Sequence, residues 1–228
     1  MNKEYGYREL EDKMGYSFRD ESLLITALTH SSYKNEKNNI EDYERLEFLG
    51  DAVLELTVSE FLYRLEPKMK EGEMTKLRAS LVCEPTLAFC AMALDLGDYI
   101  FLGKGEDKSG GRERDSICSD VFEAVIGGIF LDRGIEPAKA FIHKYVLTDY
   151  ENKIEFRDSK TLLQEHVQND GGVIEYRLIN ESGPDHARVF ESAAYINGEC
   201  LGKGIGRNKK HSEQLAAYEA LKALVHPV

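Results

Sequence analysis

The sequence predicts an all-α N-terminal domain followed by an α+β C-terminal domain of order α-β-β-β-α. Three observations predict it. Up to about residue 150, apolar residues recur at helical spacing and no stretch alternates in the manner of a strand. Beyond residue 159 the texture changes. "GVIEYRLIN" alternates Ile174, Tyr176 and Leu178, and "ARVFESAAYI" ends at Asn197-Gly198, a strong two-residue hairpin signal. Between the two regions, "ENKIEFRDSK" is charged and has no clear period, so residues 151–158 read as a linker. The expected boundaries are 1–150, 151–158 and 159–228.

Each element follows from local chemistry. "RDESLLITALTHSS" carries helical spacing after a cap at Asp20. "EDYERLEFLGDAVLELTVSEFLYRLE" predicts roughly seven helical turns that stop before Pro67. "EGEMTKLRASLV" and "EPTLAFCAMALDLG" predict two more helices, the second with Pro85 near its start and Gly97 at its end. "LGKGEDKSGGRER" reads as a loop from its glycines and charges. "DSICSDVFEAVIGGIFLDRG" and "EPAKAFIHKYVLTDY" resume the helical pattern. In the second domain "SKTLLQEHVQ" is the first helix and "ECLGKGIG" the third strand. "NKKHSEQLAAYEALKALV" is the last helix, with Asn208 as its cap.

Composition narrows the class. The chain has 228 residues, 42% of them hydrophobic, yet no apolar run approaches the ~20 residues that a membrane helix needs. "MNKEYGYRELEDK" is too polar for a signal peptide, which places the expected location in the cytoplasm, away from any membrane. None of the four cysteines forms a CxxC pair, which argues against zinc. The net charge of −12 argues, at face value, against a nucleic-acid partner. The charge is uneven, however. Residues 1–150 hold 19 basic and 29 acidic residues, a balance of −10, whereas residues 151–228 hold 10 and 12, a balance of −2. "LGKGIGRNKK" has four basic residues and no acid, a local anion site.

The acids of the first domain are patterned. A helix turns about 100° per residue, so Glu47 falls about 60° and Asp51 about 20° from Glu44. These three carboxylates share one face, while Leu46, Leu49 and Val53 form an apolar stripe on another. On a second helix, Asp120 and Glu123 are spaced i, i+3 among Ile117, Val121, Phe122, Ala124, Val125 and Ile126. A solvated acidic face is the ordinary explanation for the first helix. It fails for the second, where carboxylates in an apolar setting are costly without partners. If the two helices face each other, Glu47, Asp51, Asp120 and Glu123 gather, and like charges so placed call for a cation. All-oxygen ligands favour Mg²⁺ or Mn²⁺ over zinc. That combination suits phosphoryl transfer or phosphodiester cleavage.

At these residues the chain resembles the bacterial ribonuclease III family. "ERLEFLGDAVL" is similar to the family's signature helix, "GKGEDKSGGRERDSICSDVFEAVIGGIFLD" to its second catalytic segment, and "EGEMTKLRASLV" to the helix between them. "TLLQEHVQ", "EYRLINESGPDHARVF" and "GIGRNKKHSEQLAAYEAL" resemble a double-stranded RNA-binding domain. The resemblance implies a helical endonuclease domain and a homodimer that cuts both strands of duplex RNA. The products would be 5′-phosphate and 3′-hydroxyl ends with short 3′ overhangs, from precursor ribosomal, messenger and transfer RNAs. It implies Glu47, Asp120 and Glu123 as Mg²⁺ ligands, with Mn²⁺ as a substitute, and Asp51 with Glu123 as catalytic groups acting on the attacking water. Glu44 and Glu71 resemble secondary acidic positions, and Phe48 the aromatic that inserts into the partner subunit.

Duplex RNA is read by shape across its shallow minor groove. Thr161, Gln164, Glu165 and Gln168 stand at i, i+3, i+4 and i+7, one helix face suited to that groove. His186 in "GPDHA" would reach a second groove, and Lys209 and Lys210 open the last helix, where free N–H groups attract phosphate. Three departures from the family pattern stand out. His211 takes the place of a capping Glu, and Ser192 and Ala194 replace larger β-branched residues. Rival readings are weaker. An RNA-binding protein without cleavage would lack an acid of the cluster, and a small-substrate phosphohydrolase would not need "GPDHA" or the lysine pair. No nucleophile motif supports a serine or cysteine hydrolase.

Overall fold

The computed structural model describes residues 3–37, 40–169, 171–183 and 188–225. The chain divides into two compact units, Met1–Tyr150 and Glu151–Val228. The first contains helices α1 (Lys3–Met14), α2 (Glu21–Ala27), α3 (Ser31–Glu36), α4 (Glu44–Arg64), α5 (Glu71–Leu81), α6 (Glu84–Met92), α7 (Leu96–Tyr99), α8 (Lys104–Lys108), α9 (Asp115–Arg133) and α10 (Ile135–Ile142). The second contains α11 (Tyr150–Asn169), strands β1 (Ile174–Ser182), β2 (Val189–Ile196) and β3 (Glu199–Gly206), and α12 (Lys209–Val225).

Helix α9 is the core of the first unit. Val121, Phe122, Ala124, Val125, Ile126 and Ile129 are all fully buried, so the helix is apolar nearly all round, as a central helix must be. It packs against α2, α4, α6 and α10. The tightest contact is with α4. A Cβ built on Gly50 would sit 1.8 Å from the carbonyl oxygen of Glu123, and one built on Gly127 would sit 2.2 Å from that of Leu46. Glycine on both sides lets the two backbones touch.

Two expectations need correction here. The helix of "EPTLAFCAMALDLG" ends at Met92, not Gly97, because Asp95 takes a left-handed φ of 52° and breaks it. The stretch expected as a loop contains α8 and a 3₁₀ turn over Gly111–Glu113, tied by an Arg112 to Asp107 ion pair of 2.7 Å.

In the second unit the three antiparallel strands lie in the order β1-β2-β3. Asn197 and Gly198 join β2 to β3 with φ of 51° and 88°, both positive as the tight hairpin turn requires. Leu163, Val167, Ala194, Ile196, Ala216, Ala217, Ala220 and Leu221 form the core between sheet and helices. Residues 151–158, expected as a linker, are helical and open α11. Charge hides the period there. Phe156, Ser159, Leu163 and Val167 are buried at helical spacing and run the helix through the segment.

The small residues of β2 also have a reason. Ser192 and Ala194 are fully buried, and Ser192 Oγ lies 2.7 Å from Ser212 Oγ of α12. On β3, Cβ atoms at Gly202 and Gly204 would meet the carbonyl oxygens of Ala216 and Ser212 at 2.2 and 2.3 Å. Helix α12 therefore lies too close to the sheet for β-branched residues at these positions.

Candidate active site and RNA-binding surface

The acidic cluster is built by the α4–α9 contact. On α4, Leu46 and Val53 are buried and hold the helix in place, while Glu44 and Asp51 are exposed and Glu47 is half-buried. Glu47 and Asp51 flank Gly50, the residue that touches the Glu123 backbone. Asp120 and Glu123 are half-buried on α9, between fully buried neighbours. The glycine contact therefore brings the acids of the two helices into one field.

The electrostatics show that they feel each other. Burial, then Asp51, Glu47, Asp120 and Glu55, push Glu123 up to about 8. Burial, then Asp120, Glu44 and Asp51, push Glu47 up to about 7. Asp120 is raised chiefly by burial, opposed by a hydrogen bond that the Tyr43 hydroxyl donates to its Oδ2 at 3.4 Å. Burial and the Asp120 carboxylate also raise the Tyr43 phenol far above its usual range, so it remains a donor. Glu47, Asp120 and Glu123 thus bind protons more readily than separate carboxylates would, which marks a place short of positive charge.

Among the described residues, no group of three or more His, Cys, Asp or Glu side chains closes around a point as a finished metal cage. The donor set nevertheless fits a hard divalent cation. It is all oxygen, and such an ion keeps much of its water and needs only a few carboxylates directly.

The structure groups Glu47, Asp51, Asp120 and Glu123, with Glu44 at the edge through its charge on Glu47. Glu71 is placed elsewhere. It starts α5, accepts from Thr75 Oγ1 at 2.9 Å, and lines a cavity of about 290 Å³ with Leu62, Tyr63, Met74 and Arg78. Phe48 is 80% exposed on α4. Sequence reasoning missed three contributors: Tyr43, Glu55 and the Gly50–Gly127 pair. The i+4 step from Asp51 could have found Glu55, but the other two show only once the helices are packed.

On the second unit, Thr161, Gln164, Glu165 and Gln168 are exposed along one face of α11. Lys209 and Lys210 are exposed at the start of α12, whose N-terminus is capped by Asn208 Oδ1 accepting from the His211 N–H at 2.8 Å. The His211 ring packs edge-on against Phe156, 6.1 Å between centroids. His186 lies outside the described residues.

Residues 20–150 match a family model described as Ribonuclease-III-like, and residues 159–224 match one described as a double-stranded RNA binding motif. A Ribonuclease 3 of Anoxybacillus flavithermus is 51% identical over 223 residues, spanning 96% of this chain and 94% of that protein. One from Listeria monocytogenes is 48% identical over 225 residues, spanning 96% and 98%. Among solved structures, the nuclease domain of ribonuclease III from Campylobacter jejuni matches with a TM-score of 0.58 and 44% identity. That match covers 63% of this chain and 97% of that one, and the structure is described as flexible in a region involved in dimer formation.

Proposed function

The chain belongs to the ribonuclease III family, and from that premise we propose that the carboxylates gathered by α4 and α9 cleave double-stranded RNA with Mg²⁺ held among them. That the chain is a metal-dependent endoribonuclease for double-stranded RNA follows from membership. The identity of the ion and the roles of the side chains are our reading. The observation that carries it is the glycine contact between α4 and α9, which brings acids of both helices into a site where Glu47 and Glu123 hold protons to about 7 and 8.

In this reading Glu47, Asp120 and Glu123 hold Mg²⁺, and Mn²⁺ substitutes for it. When bound, the ion supplies positive charge that lowers the pKa of the attacking water and offsets charge on the scissile phosphate. Asp51, exposed at the mouth of the site, accepts a hydrogen bond from that water and, with Glu123, aims it at phosphorus. Glu44 adds negative charge at the edge, and Glu71 lies on the path of the RNA. Breaking the bond on the 3′ side leaves a 5′-phosphate and a 3′-hydroxyl.

One chain carries one cluster, so cutting both strands with short 3′ overhangs takes a homodimer. Phe48, Leu56 and Tyr63 support this, because all three are large, apolar and exposed on α4. Residues 1–150 serve as the nuclease and 159–228 as the duplex-binding domain. Thr161, Gln164, Glu165 and Gln168 face one minor groove, His186 another, and Lys209 and Lys210 the phosphates between. Among the described residues no helix is long and apolar enough to cross a membrane. We place the protein in the cytoplasm, processing precursor ribosomal and other structured RNAs.

The test is Glu123→Gln. It should abolish cleavage of a long duplex in Mg²⁺ while gel-shift binding in Ca²⁺ stays within about threefold, since phosphate and groove contacts lie on the other unit. Cutting at the wild-type rate would remove Glu123 from the site.

A further inference from the structure

We propose that Tyr43 is a positioning residue for the cation site, holding the Asp120 carboxylate so that one of its oxygens faces the cluster. The proposal rests on the reading of the cluster as a divalent-cation site. Tyr43 immediately precedes α4 and is 4% exposed. It occupies the cap position, yet its side chain makes no cap hydrogen bond. Its backbone is tied down on both sides instead. The N–H donates to Thr29 O at 2.9 Å, and the carbonyl accepts from the N–H groups of Leu46 and Glu47 at 2.8 and 2.9 Å.

The ring is also fixed, lying against His30 with centroids 5.6 Å apart. A phenol held at its backbone and at its ring has little freedom left in its hydroxyl. That hydroxyl points at Oδ2 of Asp120 from 3.4 Å.

A half-buried carboxylate with no donor on it can rotate, and both of its oxygens compete for whatever positive charge arrives. The Tyr43 hydroxyl on Oδ2, beside the hydrogen bond that Ser119 makes to the same carboxylate, restricts that rotation and fixes which way the group faces. Hydrogen-bonded partners of metal-binding side chains act this way in general, by orienting the ligand before the ion arrives. Tyr43 also carries the chain directly into Glu44 and Glu47. The same residue therefore sets the start of one acidic helix and the orientation of an acid on the other.

The test is Tyr43→Phe in the full-length protein, which keeps the ring and removes only the donor. Two readouts are needed: the Mg²⁺ concentration that half-saturates cleavage, and the Mn²⁺ concentration that half-saturates the rise in thermal midpoint of the RNA-free protein. Both should increase by about three- to tenfold, and the rate deficit should narrow as Mg²⁺ is raised. A lower midpoint without metal, with both half-saturations unchanged, would make Tyr43 a packing residue and overturn the proposal. Should the variant fail to fold, 3-fluorotyrosine at position 43 keeps the hydroxyl and strengthens it as a donor. Half-saturation must then fall, and an unchanged value overturns the proposal. A wild-type protein whose midpoint does not respond to Mn²⁺ would overturn the cluster reading and this one with it.

Discussion

Glu123 illustrates how a single side chain records the purpose of its surroundings. Its carboxyl and that of Glu47 are raised to about 8 and about 7 in the folded chain, above the usual value of about 4.3 that they regain on unfolding. A group raised in this way contributes its full stability below the unfolded value and loses it as pH rises through the folded one. The metal-free protein should therefore lose stability between about pH 5 and 8 on account of these two acids. Glu123→Gln removes one of them. In chelator, its thermal midpoint should exceed that of the wild type at pH 8.5 and approach it at pH 5.5. Added Mg²⁺ should raise the wild-type midpoint at pH 8.5 more than the variant's. A difference between the two proteins that does not vary with pH would contradict the electrostatic account. The four acids were legible in the sequence because helical spacing reports which residues share a face. Tyr43 was not, since its partner lies 77 positions away and no local pattern links them.

Helices α4 and α9 show what spacing alone cannot give. Both were legible as helices, but the depth of their contact rests on two glycines whose significance appears only in the packing. Gly50→Ala tests this directly. The added methyl group has a backbone carbonyl 1.8 Å from it, and backbone cannot swing aside as a flexible side chain would. The helices must separate or shift, at a cost of about 1–3 kcal/mol by urea unfolding. Cleavage should fall by at least about a hundredfold, because displacement of order 1 Å in a catalytic geometry has that effect. An active, equally stable Gly50→Ala protein would show that the contact does not set the site. The second unit teaches the opposite lesson. The hairpin at Asn197-Gly198 was plain in two residues, yet the start of α11 was hidden by charge. Ser192 and Ala194 looked too small until the close approach of α12 to β3 explained them.

Across the whole molecule, an acidic chain must approach a polyanion. The net charge is −12, with −10 of it in residues 1–150, so the near-neutral second unit is the one suited to first contact. Lys209 and Lys210 should serve that contact. Replacing both with Ala should flatten the slope of log affinity against log salt by roughly 1–2 units and leave the cleavage positions on a given duplex where they were. A salt titration beside a cleavage map checks both. An unchanged slope would mean that the lysines only solvate a helix start. Domain order and the separation of charge were legible from composition and period, whereas pairing of one copy with another was implied only by the family resemblance, and the exposure of Phe48 shows only in the fold. The position of Phe48 has one further consequence. It is the residue next to Glu47 on the same helix, so the exposed ring proposed to meet a second copy and the acid proposed to hold the metal ion cannot move independently. Where two copies are needed to cut both strands, output depends on the amount of protein as well as on its quality. On dilution, activity per molecule should decline, and the rate should approach the square of concentration. Doubling a scarce enzyme of this kind would raise RNA turnover almost fourfold.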